Sequence, residues 1–370
     1  MKDEGRDARL IQAMGAKGLP RECLHRRGLI AGVGSLGSHI AELLMRMGIR
    51  ELVLCDPDRV EEKDLVQGAF GPHVGELKVE AMRGFAQSIS SPTRVRALAL
   101  HSGALGPGVL QRMDLVIAAL DRLEPRLDLY GSVIESGGIP FLDAAVDGHD
   151  GRITEVGCEG ACYHCHQDSS RDDAPARSED TADGPISCRD QADPALPTIA
   201  APYVIQQVAA VTVGRALHIL AGRGSVRESR LVWNTLGFPV WRHYELSAVP
   251  GCDTCRSRDR AARSPQPAFS LEGAAAGRDS LAAIEDEARR ALGPGSLEAP
   301  RRWAELGERP PRELWSNEPA AALGASYGAR LRFRRDDGSS VRVELSGDWE
   351  WLGLDENGGS DEGNTCHARA

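Results

Sequence analysis

Short apolar runs alternate with amphipathic stretches from Gly28 to about Val156. The apolar runs predict strands, and the stretches between them repeat apolar residues every three to four positions, which predicts helices. Strands that alternate with helices of this length are typical of a parallel sheet covered on both faces. The pattern therefore predicts an α/β fold. The predicted strands are residues 29–31, 51–56, 94–100, 114–120 and 140–146, and the clearest helices are residues 36–47 and 77–88.

The second half of the chain contains segments of contrasting composition. Residues 167–197 are rich in Asp, Ser, Ala and Pro and lack a periodic apolar pattern, which predicts a mobile crossover loop. A long apolar helix is predicted over residues 203–220, and Gly222 is placed to end it. Two further strands are predicted at residues 230–234 and 240–246.

The composition changes again after Cys255. Residues 281–292 predict a helix, and residues 330–345 predict a β-hairpin because apolar and polar residues alternate on both sides of Asp336-Asp337-Gly338. These elements indicate a small α+β domain. The predicted organisation is an N-terminal arm (1–27), a large domain (28–256), a polar linker (257–275), a small C-terminal domain (276–354) and a disordered acidic tail (355–370).

Composition and charge exclude several classes of protein. The 370 residues are 41% hydrophobic and 26% charged, which is ordinary for a globular protein. The net charge of −10 argues against a nucleic-acid partner. No uninterrupted apolar run reaches the roughly 18 residues of a membrane span. The N-terminus lacks a signal pattern, so we expect a cytoplasmic protein in which nine cysteines serve metal or thiol chemistry.

A glycine-rich turn, Gly32-Val33-Gly34-Ser35-Leu36-Gly37, follows the first predicted strand and begins a helix. Glycines let the backbone approach a phosphate, and the N-terminus of the helix offers N–H groups and a positive dipole. Asp56, at the end of the next strand, is placed to accept hydrogen bonds from a ribose. The turn predicts a nucleotide without specifying which one, and a packing turn without a ligand is the alternative.

Further motifs follow the turn in a specific order. They are Asp56-Pro57-Asp58-Arg59-Val60, Asp64-Leu65, Gly75-Glu76-Leu77-Lys78, Asp121 with Arg126, and two Cys-x-x-Cys pairs. With these motifs the chain resembles the E1-like activating enzymes, which include ubiquitin-activating adenylation domains and bacterial activators of sulfur-carrier proteins. The resemblance covers about Gly28 to Arg256. It implies a doubly wound, Rossmann-like sheet that binds ATP and adenylates the C-terminal glycine of a ubiquitin-like protein.

The resemblance also implies roles for individual residues. Gly32, Gly34 and Gly37 would line the nucleotide, and Asp56 would hold the ribose. Asp58 would either belong to this nucleotide site or cap the following turn. Lys78 would contact the ATP phosphates, and Asp121 would bind Mg²⁺. Catalysis would consist mainly of positioning and charge stabilisation, because the attacking carboxylate is already ionised.

Two positions depart from the family pattern. Asp64 and Gln67 stand where the family usually has Asn and Arg, and both changes weaken the binding of ATP electrostatically. The family also supplies an arginine across a dimer interface, for which only Arg6 and Arg9 are present before Arg21. A weakened or inactive adenylation site therefore remains an alternative. Three nearby cations are candidates to compensate: Arg59, Lys63 and Arg83.

Four cysteines in two pairs, Cys162 with Cys165 and Cys252 with Cys255, predict a structural Zn²⁺ site. Two Cys-x-x-Cys pairs complete a closed tetrahedral site, which leaves no position for a catalytic water. Reduced free cysteines or a redox pair are the alternatives. Three other residues are possible ligands that four-sulfur coordination does not need: Cys158, His164 and His166.

Cys188 lies near the end of the predicted crossover loop, directly before Arg189. In the resembling family, a cysteine at this place forms a thioester or a sulfur adduct with the activated carrier. A thiolate attacks an acyl-adenylate well, and a neighbouring arginine favours the thiolate form. An ordinary cysteine without a catalytic role is the alternative.

The sequence thus predicts an enzyme that uses ATP and Mg²⁺ to adenylate a ubiquitin-like protein and then passes it through Cys188 to an E2-like conjugating enzyme. Sulfur-carrier activation for cofactor biosynthesis and a degenerate, non-catalytic binding protein are the main alternatives. A nicotinamide-dependent oxidoreductase, suggested by the glycine turn alone, lacks a proton-relay constellation. The family's dimeric habit leads us to expect a homodimer.

Overall fold

A computed structural model describes two compact units of the chain. The first unit is drawn from Met1–Ala99, Met113–Tyr130 and Pro140–Ser257, and the second from Leu100–Arg112, Gly131–Ile139 and Arg258–Ala370. The described residues are 19–157, 160–167, 200–222, 229–234, 240–263, 268–271, 274–275, 278–298 and 330–345, with single positions besides. Cys188, Cys158, Arg6, Arg9 and the acidic tail lie outside them.

The first unit is built on an eight-stranded sheet in the order β3-β2-β1-β4-β5-β6-β7-β8. Neighbouring strands from β3 to β5 are parallel, and those from β5 to β8 are antiparallel. The strands are β1 (Arg27–Ala31), β2 (Glu51–Cys55), β3 (Arg94–Leu98), β4 (Leu115–Ala118), β5 (Phe141–Asp147), β6 (Asp150–Val156), β7 (Ser229–Asn234) and β8 (Val240–Glu245).

Burial explains why the central strands are short apolar runs. Every residue of β1, β2 and β4 is buried, as expected for parallel strands covered on both faces, whereas β3 at the edge is partly exposed. The α/β prediction is confirmed. Strand β6 was not predicted, because the residues it buries include Arg152, Thr154 and Glu155.

The strand order creates a topological switch point at β1. The chain runs outward from β1 to β2 and β3, and then returns to place β4 on the other side of β1. In open α/β sheets, ligands bind at such a switch point, beside the carboxyl ends of the strands. Backbone hydrogen bonds align these ends, since Gly32 N donates to Cys55 O and Ala119 N donates to Ala31 O.

The described residues form nine α-helices, and the four of them that were predicted begin and end close to their predicted positions. The nine are α1 (Ser35–Met47), α2 (Asp64–Gln67), α3 (Lys78–Ser88), α4 (Pro107–Leu110), α5 (Leu123–Glu135), α6 (Tyr163–Gln167), α7 (Pro202–Leu220), α8 (Asp253–Arg263) and α9 (Leu281–Leu292) among the described residues. Two 3-10 helices, Arg21–His25 and Ser102–Ala104, complete this part of the chain.

Helix α7 is the longest apolar element. Among the described helices it alone passes a length and composition test for a membrane span, with 56% of its apolar window buried. Its side chains Val204, Ile205 and Val208 lie in the core of the first unit with Ile40 and Leu44 of α1. Packing against α1 therefore accounts for its apolar composition.

The second unit contains a four-stranded sheet in the order β10-β11-β12-β9. Its strands are β9 (Ala268–Leu271), β10 (Gly295–Leu297), β11 (Arg330–Arg335) and β12 (Ser340–Leu345). Ile284 of α9 joins Phe333 and Val343 in its core, and the predicted hairpin is the antiparallel pair β11–β12. Helix α8 overlaps the segment predicted as a linker because its composition is polar, and strand β9 lies within that segment because four residues are too few to show a pattern.

Candidate nucleotide site and four-cysteine cluster

The glycine turn connects β1 to α1 at the switch point. Gly32 has a φ of +86°, and a Cβ atom there would lie 2.5 Å from the carbonyl oxygen of Ala119. A Cβ atom on Gly37 would lie 1.9 Å from the carbonyl oxygen of Gly32, so α1 packs tightly on the turn. A Cβ atom on Gly34 would meet nothing within 4 Å. The backbone beside Gly34 is therefore open at the N-terminus of a 13-residue helix that has no side-chain cap.

Asp56 fixes this turn to the end of β2. Its Oδ2 accepts a hydrogen bond from Val33 N at 2.7 Å, and its Oδ1 accepts one from Asp58 N at 2.8 Å. Burial raises the pKa of Asp56, and the two N–H donors and Lys78 offset this only in part. A carboxylate has further lone pairs, so Asp56 retains acceptor capacity for a ligand hydroxyl.

Lys78 places a buried cation beside two further carboxylates. It is the first residue of α3, and its Nζ lies 3.5 Å from Asp58 Oδ2 and 3.7 Å from Asp64 Oδ2. The Lys78 side chain is 10% exposed, whereas that of Asp58 is 67% exposed. The segment that follows β2 is held against the start of α3 by two contacts. They are an isolated β-bridge between Arg59 and Leu77 and a hydrogen bond from Lys78 N to Asp58 O.

The two departures from the family pattern have structural partners. Asp64, in place of Asn, faces Lys78 and accepts a hydrogen bond from Glu61 N at 2.9 Å. Gln67, in place of Arg, donates from Nε2 to Ala200 O at 3.1 Å, directly before α7. Gln67 thus anchors the chain where it returns from the predicted crossover loop.

The three candidate compensating cations are engaged elsewhere. Arg59 Nη1 donates to Gly75 O at 2.8 Å, Lys63 Nζ pairs with Glu61 Oε2 at 2.8 Å, and Arg83 Nη2 pairs with Glu80 Oε2 at 2.5 Å. All three cations are exposed. Among the described residues, Lys78 is thus the buried cation that faces the aspartates of this site.

Asp121 follows β4 and is exposed. It lies two residues beyond Ala119, whose carbonyl oxygen abuts Gly32, so the chain delivers Asp121 to the same edge of the sheet as the glycine turn. Arg126 of α5 holds the loop between them by donating from Nη2 to the carbonyl oxygen of Leu120. An exposed carboxylate at this edge is suited to a cation that accompanies phosphates.

A buried ion network lies behind this loop. Asp143 of β5 pairs with Arg126 and with Arg152, and it accepts a hydrogen bond from the Tyr163 hydroxyl at 2.8 Å. Burial alone would raise the pKa of Asp143, but the two guanidinium groups hold it below its usual value. Burial and the charge of Asp143 raise the pKa of Tyr163, so its hydroxyl remains a donor. Asp143 and Tyr163 were missed from the sequence, because Asp143 stands in no recognisable motif and Tyr163 lies between two cysteines that alone drew the prediction.

The two Cys-x-x-Cys pairs meet in one cluster. The Sγ atoms of Cys162, Cys165, Cys252 and Cys255 all lie within 4.8 Å of one another, with closest separations of 3.4 and 3.6 Å. Tetrahedral zinc with Zn–S bonds of about 2.3 Å needs sulfur atoms about 3.8 Å apart. The four thiols therefore fit a zinc ion. His164 instead places its ring 6.0 Å from that of Tyr130.

Each Cys-x-x-Cys pair lies at the start of a helix. Cys162 directly precedes α6, and Cys252 directly precedes α8, so each pair lies across the first turn of a helix. Cys165 Sγ also accepts a hydrogen bond from Val249 N at 3.3 Å. Partial burial would raise the pKa of Cys252, but hydrogen bonds from the Cys255 N–H group and the other thiols lower it to about 7. Burial raises the pKa of Cys162 and Cys255, so Cys252 is the thiol of these three that favours the thiolate, the form that binds a metal.

Comparison with known proteins identifies similar sequences. A sequence profile of the ThiF family matches residues 6–253. The "SAMP-activating enzyme E1" of Haloferax volcanii is 27% identical over 42% of this chain and 58% of its own length. "Ubiquitin-like modifier-activating enzyme 5" of Xenopus laevis is 26% identical over 70% of this chain and 64% of its own length. "Sulfur carrier protein ThiS adenylyltransferase" of Bacillus subtilis is 31% identical over 39% and 44%.

A solved structure shares the fold. The E. coli protein MccB has a TM-score of 0.54 and 17% sequence identity, and the match covers 69% of this chain and 75% of MccB. The matches to the first curated relatives span between about a third and three fifths of those proteins. The chain is therefore similar to them over part of their lengths and not over the whole of them.

Proposed function

The chain belongs to the ThiF family, and on that premise we propose that it is an E1-like adenylyltransferase for the C-terminal glycine of a ubiquitin-like or sulfur-carrier protein. The observation that carries the proposal is the glycine turn at the switch point, open at Gly34 and joined through Asp56 to the loop of Asp58, beside which Lys78 is buried. Backbone N–H groups and a desolvated ammonium group together provide an anion site of the kind that binds phosphates.

The reaction requires little covalent chemistry from the protein. One carboxylate oxygen of the carrier's last glycine attacks the α-phosphorus of ATP, the bond between that phosphorus and the bridging oxygen breaks, and pyrophosphate leaves. The glycine turn would orient the phosphates, and Lys78 would offset negative charge as it redistributes. Asp121 would hold Mg²⁺, which when bound neutralises phosphate oxygens.

A specific observation favours a second candidate, a carrier-binding protein without chemistry. Lys78 is already shared between Asp58 and Asp64, and Gln67 uses its amide to anchor Ala200. Three aspartates around one described buried cation repel a polyphosphate unless a divalent cation accompanies it. Titration of the protein with ATP, with and without Mg²⁺, separates the candidates, because a non-catalytic binder is expected to bind neither form.

Pyrophosphate exchange tests the proposed reaction directly. With ATP, Mg²⁺ and a small ubiquitin-like protein that ends in Gly-Gly, labelled pyrophosphate is expected to enter ATP, because adenylation is reversible. The same carrier without its last two glycines is the matched control and should give no exchange. Binding of ATP without exchange for any Gly-Gly carrier would contradict the adenylation step.

Cys188 is proposed to accept the acyl group after adenylation. Its thiolate would attack the carbonyl carbon of the acyl-adenylate, and AMP would leave as a thioester forms. The carrier would then pass to an E2-like conjugating enzyme or enter a sulfur-transfer pathway. A homodimer is proposed as the working assembly.

Replacing Cys188 by alanine separates the two steps. We expect the variant to keep pyrophosphate exchange and to lose the thiol-sensitive carrier adduct seen on non-reducing gels. Cys23→Ala, which removes a buried thiol elsewhere, should keep both activities. An adduct that survives in Cys188→Ala would assign the acyl group to another residue.

A further inference from the structure

We propose that Tyr163 is a positioning residue that links the four-cysteine cluster to the loop carrying Asp121, so that the cluster's metal and the nucleotide strengthen each other's binding. The inference rests on the proposed function, since it takes Asp121 as part of the nucleotide site. It gives the cluster a role in nucleotide affinity in addition to its support of the fold.

The link is a continuous series of polar contacts. The Tyr163 hydroxyl donates to Asp143 Oδ2 at 2.8 Å, Asp143 Oδ1 pairs with Arg126 Nη1, and Arg126 Nη2 donates to Leu120 O. Leu120 directly precedes Asp121. Tyr163 itself directly follows Cys162 of the cluster. Three side chains, Tyr163, Asp143 and Arg126, thus connect the backbone of one site with the backbone of the other.

All three side chains of the link are buried. Asp143 and Tyr163 are 0% exposed, and Arg126 is 3% exposed. When a hydrogen bond breaks in such surroundings, a polar group is left without a partner, because water does not readily reach it. A displacement at one end of the series is therefore costly unless the other end follows.

Aromatic packing fixes the phenol at the cluster end. The ring of Tyr163 lies 5.6 Å from that of Tyr130 and 5.5 Å from that of Phe141, as measured between centroids. Because the ring is confined, its hydroxyl follows the backbone of α6. That helix starts at Tyr163 and contains Cys165, so an ion bound by the cysteines would hold it in place.

Arg126 holds the loop at the other end of the series. The Arg126 guanidinium also donates to Ala144 O at 3.4 Å, so it ties the end of β4 to β5. Ala119 packs against Gly32 on one side of Leu120, and Asp121 is exposed on the other side. The position of Leu120 therefore bears on both the glycine turn and the Asp121 carboxylate. Any such coupling is reciprocal, since two ligands change each other's affinity by the same factor.

Tyr163→Phe tests the link with the smallest change, since it keeps the ring and removes the hydroxyl. We expect full metal content and an affinity for Mg²⁺ with a non-hydrolysable ATP analogue that falls about fivefold, as the loss of one buried hydrogen bond implies. The ATP analogue should also raise the affinity of the cluster for its metal, and this increase should be larger in the wild type than in Tyr163→Phe. Competition with a chelating dye measures the metal affinity.

Thr212→Val is the matched control. Thr212 Oγ1 donates to Val208 O at 2.7 Å inside α7, so this variant also loses one buried hydrogen bond but lies outside the link. It is expected to show a similar change in thermal stability with unchanged nucleotide affinity and unchanged reciprocity. This comparison separates positioning from general destabilisation.

Amide hydrogen exchange provides a test that needs no nucleotide. Residues 115–122 are expected to exchange faster in metal-loaded Tyr163→Phe than in the metal-loaded wild type, with α7 unchanged. Equal exchange in the two proteins would overturn the link. If exchange changes as expected but the wild type binds no ATP analogue, the link stands and the proposed function fails.

Discussion

Lys78→Ala is expected to abolish pyrophosphate exchange, with a fall of at least about 100-fold, the size seen when one preorganised charge-stabilising group is removed. Lys78 is the buried cation that faces Asp58 and Asp64 in the described part of the site. Without it, the charged side chains left there are the carboxylates of Asp58 and Asp64, which repel a polyphosphate. Nucleotide affinity by titration calorimetry and carrier-dependent exchange measure the two effects.

Two comparisons make this result interpretable. Lys63→Ala removes an exposed lysine, paired with Glu61, from the loop between β2 and α2, and should leave exchange unchanged. The double variant Lys78→Met with Asp64→Asn removes the cation together with one buried carboxylate, so it should recover thermal stability but not exchange. Exchange that persists in Lys78→Ala would mean that the phosphates bind elsewhere.

Cys255→Ala is expected to lose the bound metal and to lower the stability of the first unit. Cys162 and Cys252 are 90 positions apart, so the cluster closes a long loop. By analogy with a disulfide across a loop of this length, the loss should lower the free energy of unfolding by about 4.6 kcal/mol. Metal analysis of the purified protein and thermal unfolding followed by circular dichroism test both consequences.

The matched variant for this experiment is Cys23→Ala, which removes a buried thiol outside the cluster. It should retain about one zinc per chain, the stoichiometry of a single four-sulfur site. Removal of the metal from the wild type with a chelator should reproduce the lower stability of Cys255→Ala. A variant that keeps its metal, or that melts with the wild type after losing it, would contradict a structural role.

Local patterns were sufficient to predict the parallel half of the fold. Each central strand is a short apolar run because both of its faces are covered, and the glycine turn stands where close packing on Ala119 and Gly32 excludes any side chain. The order of motifs placed Lys78 and Asp121 at the edge of the sheet. The four cysteines were predicted together because their spacing alone suits zinc.

Long-range polar contacts were beyond the reach of sequence patterns. Asp143 looks like an irregularity in an apolar strand until Arg126 and Tyr163 come to it from 17 and 20 positions away. Strand β6 buries polar residues whose partners lie far along the chain, such as Arg215 with Glu155. Gln67 was interpreted only as a lost cation, although its amide anchors Ala200.

The hydrogen bond between Gln67 and Ala200 limits how far the Cys188 thiol can lie from Gln67. Twelve positions separate Cys188 from Ala200, so a fully extended chain carries the thiol at most roughly 40 Å from the point that Gln67 holds. In the proposed second step the Cys188 thiol would be an intramolecular reactant, with an effective concentration set by the number of residues between it and Ala200 and not by the enzyme concentration. Inserting residues between Cys188 and Ala200 should lower this effective concentration and leave the intrinsic reactivity of the thiol unchanged.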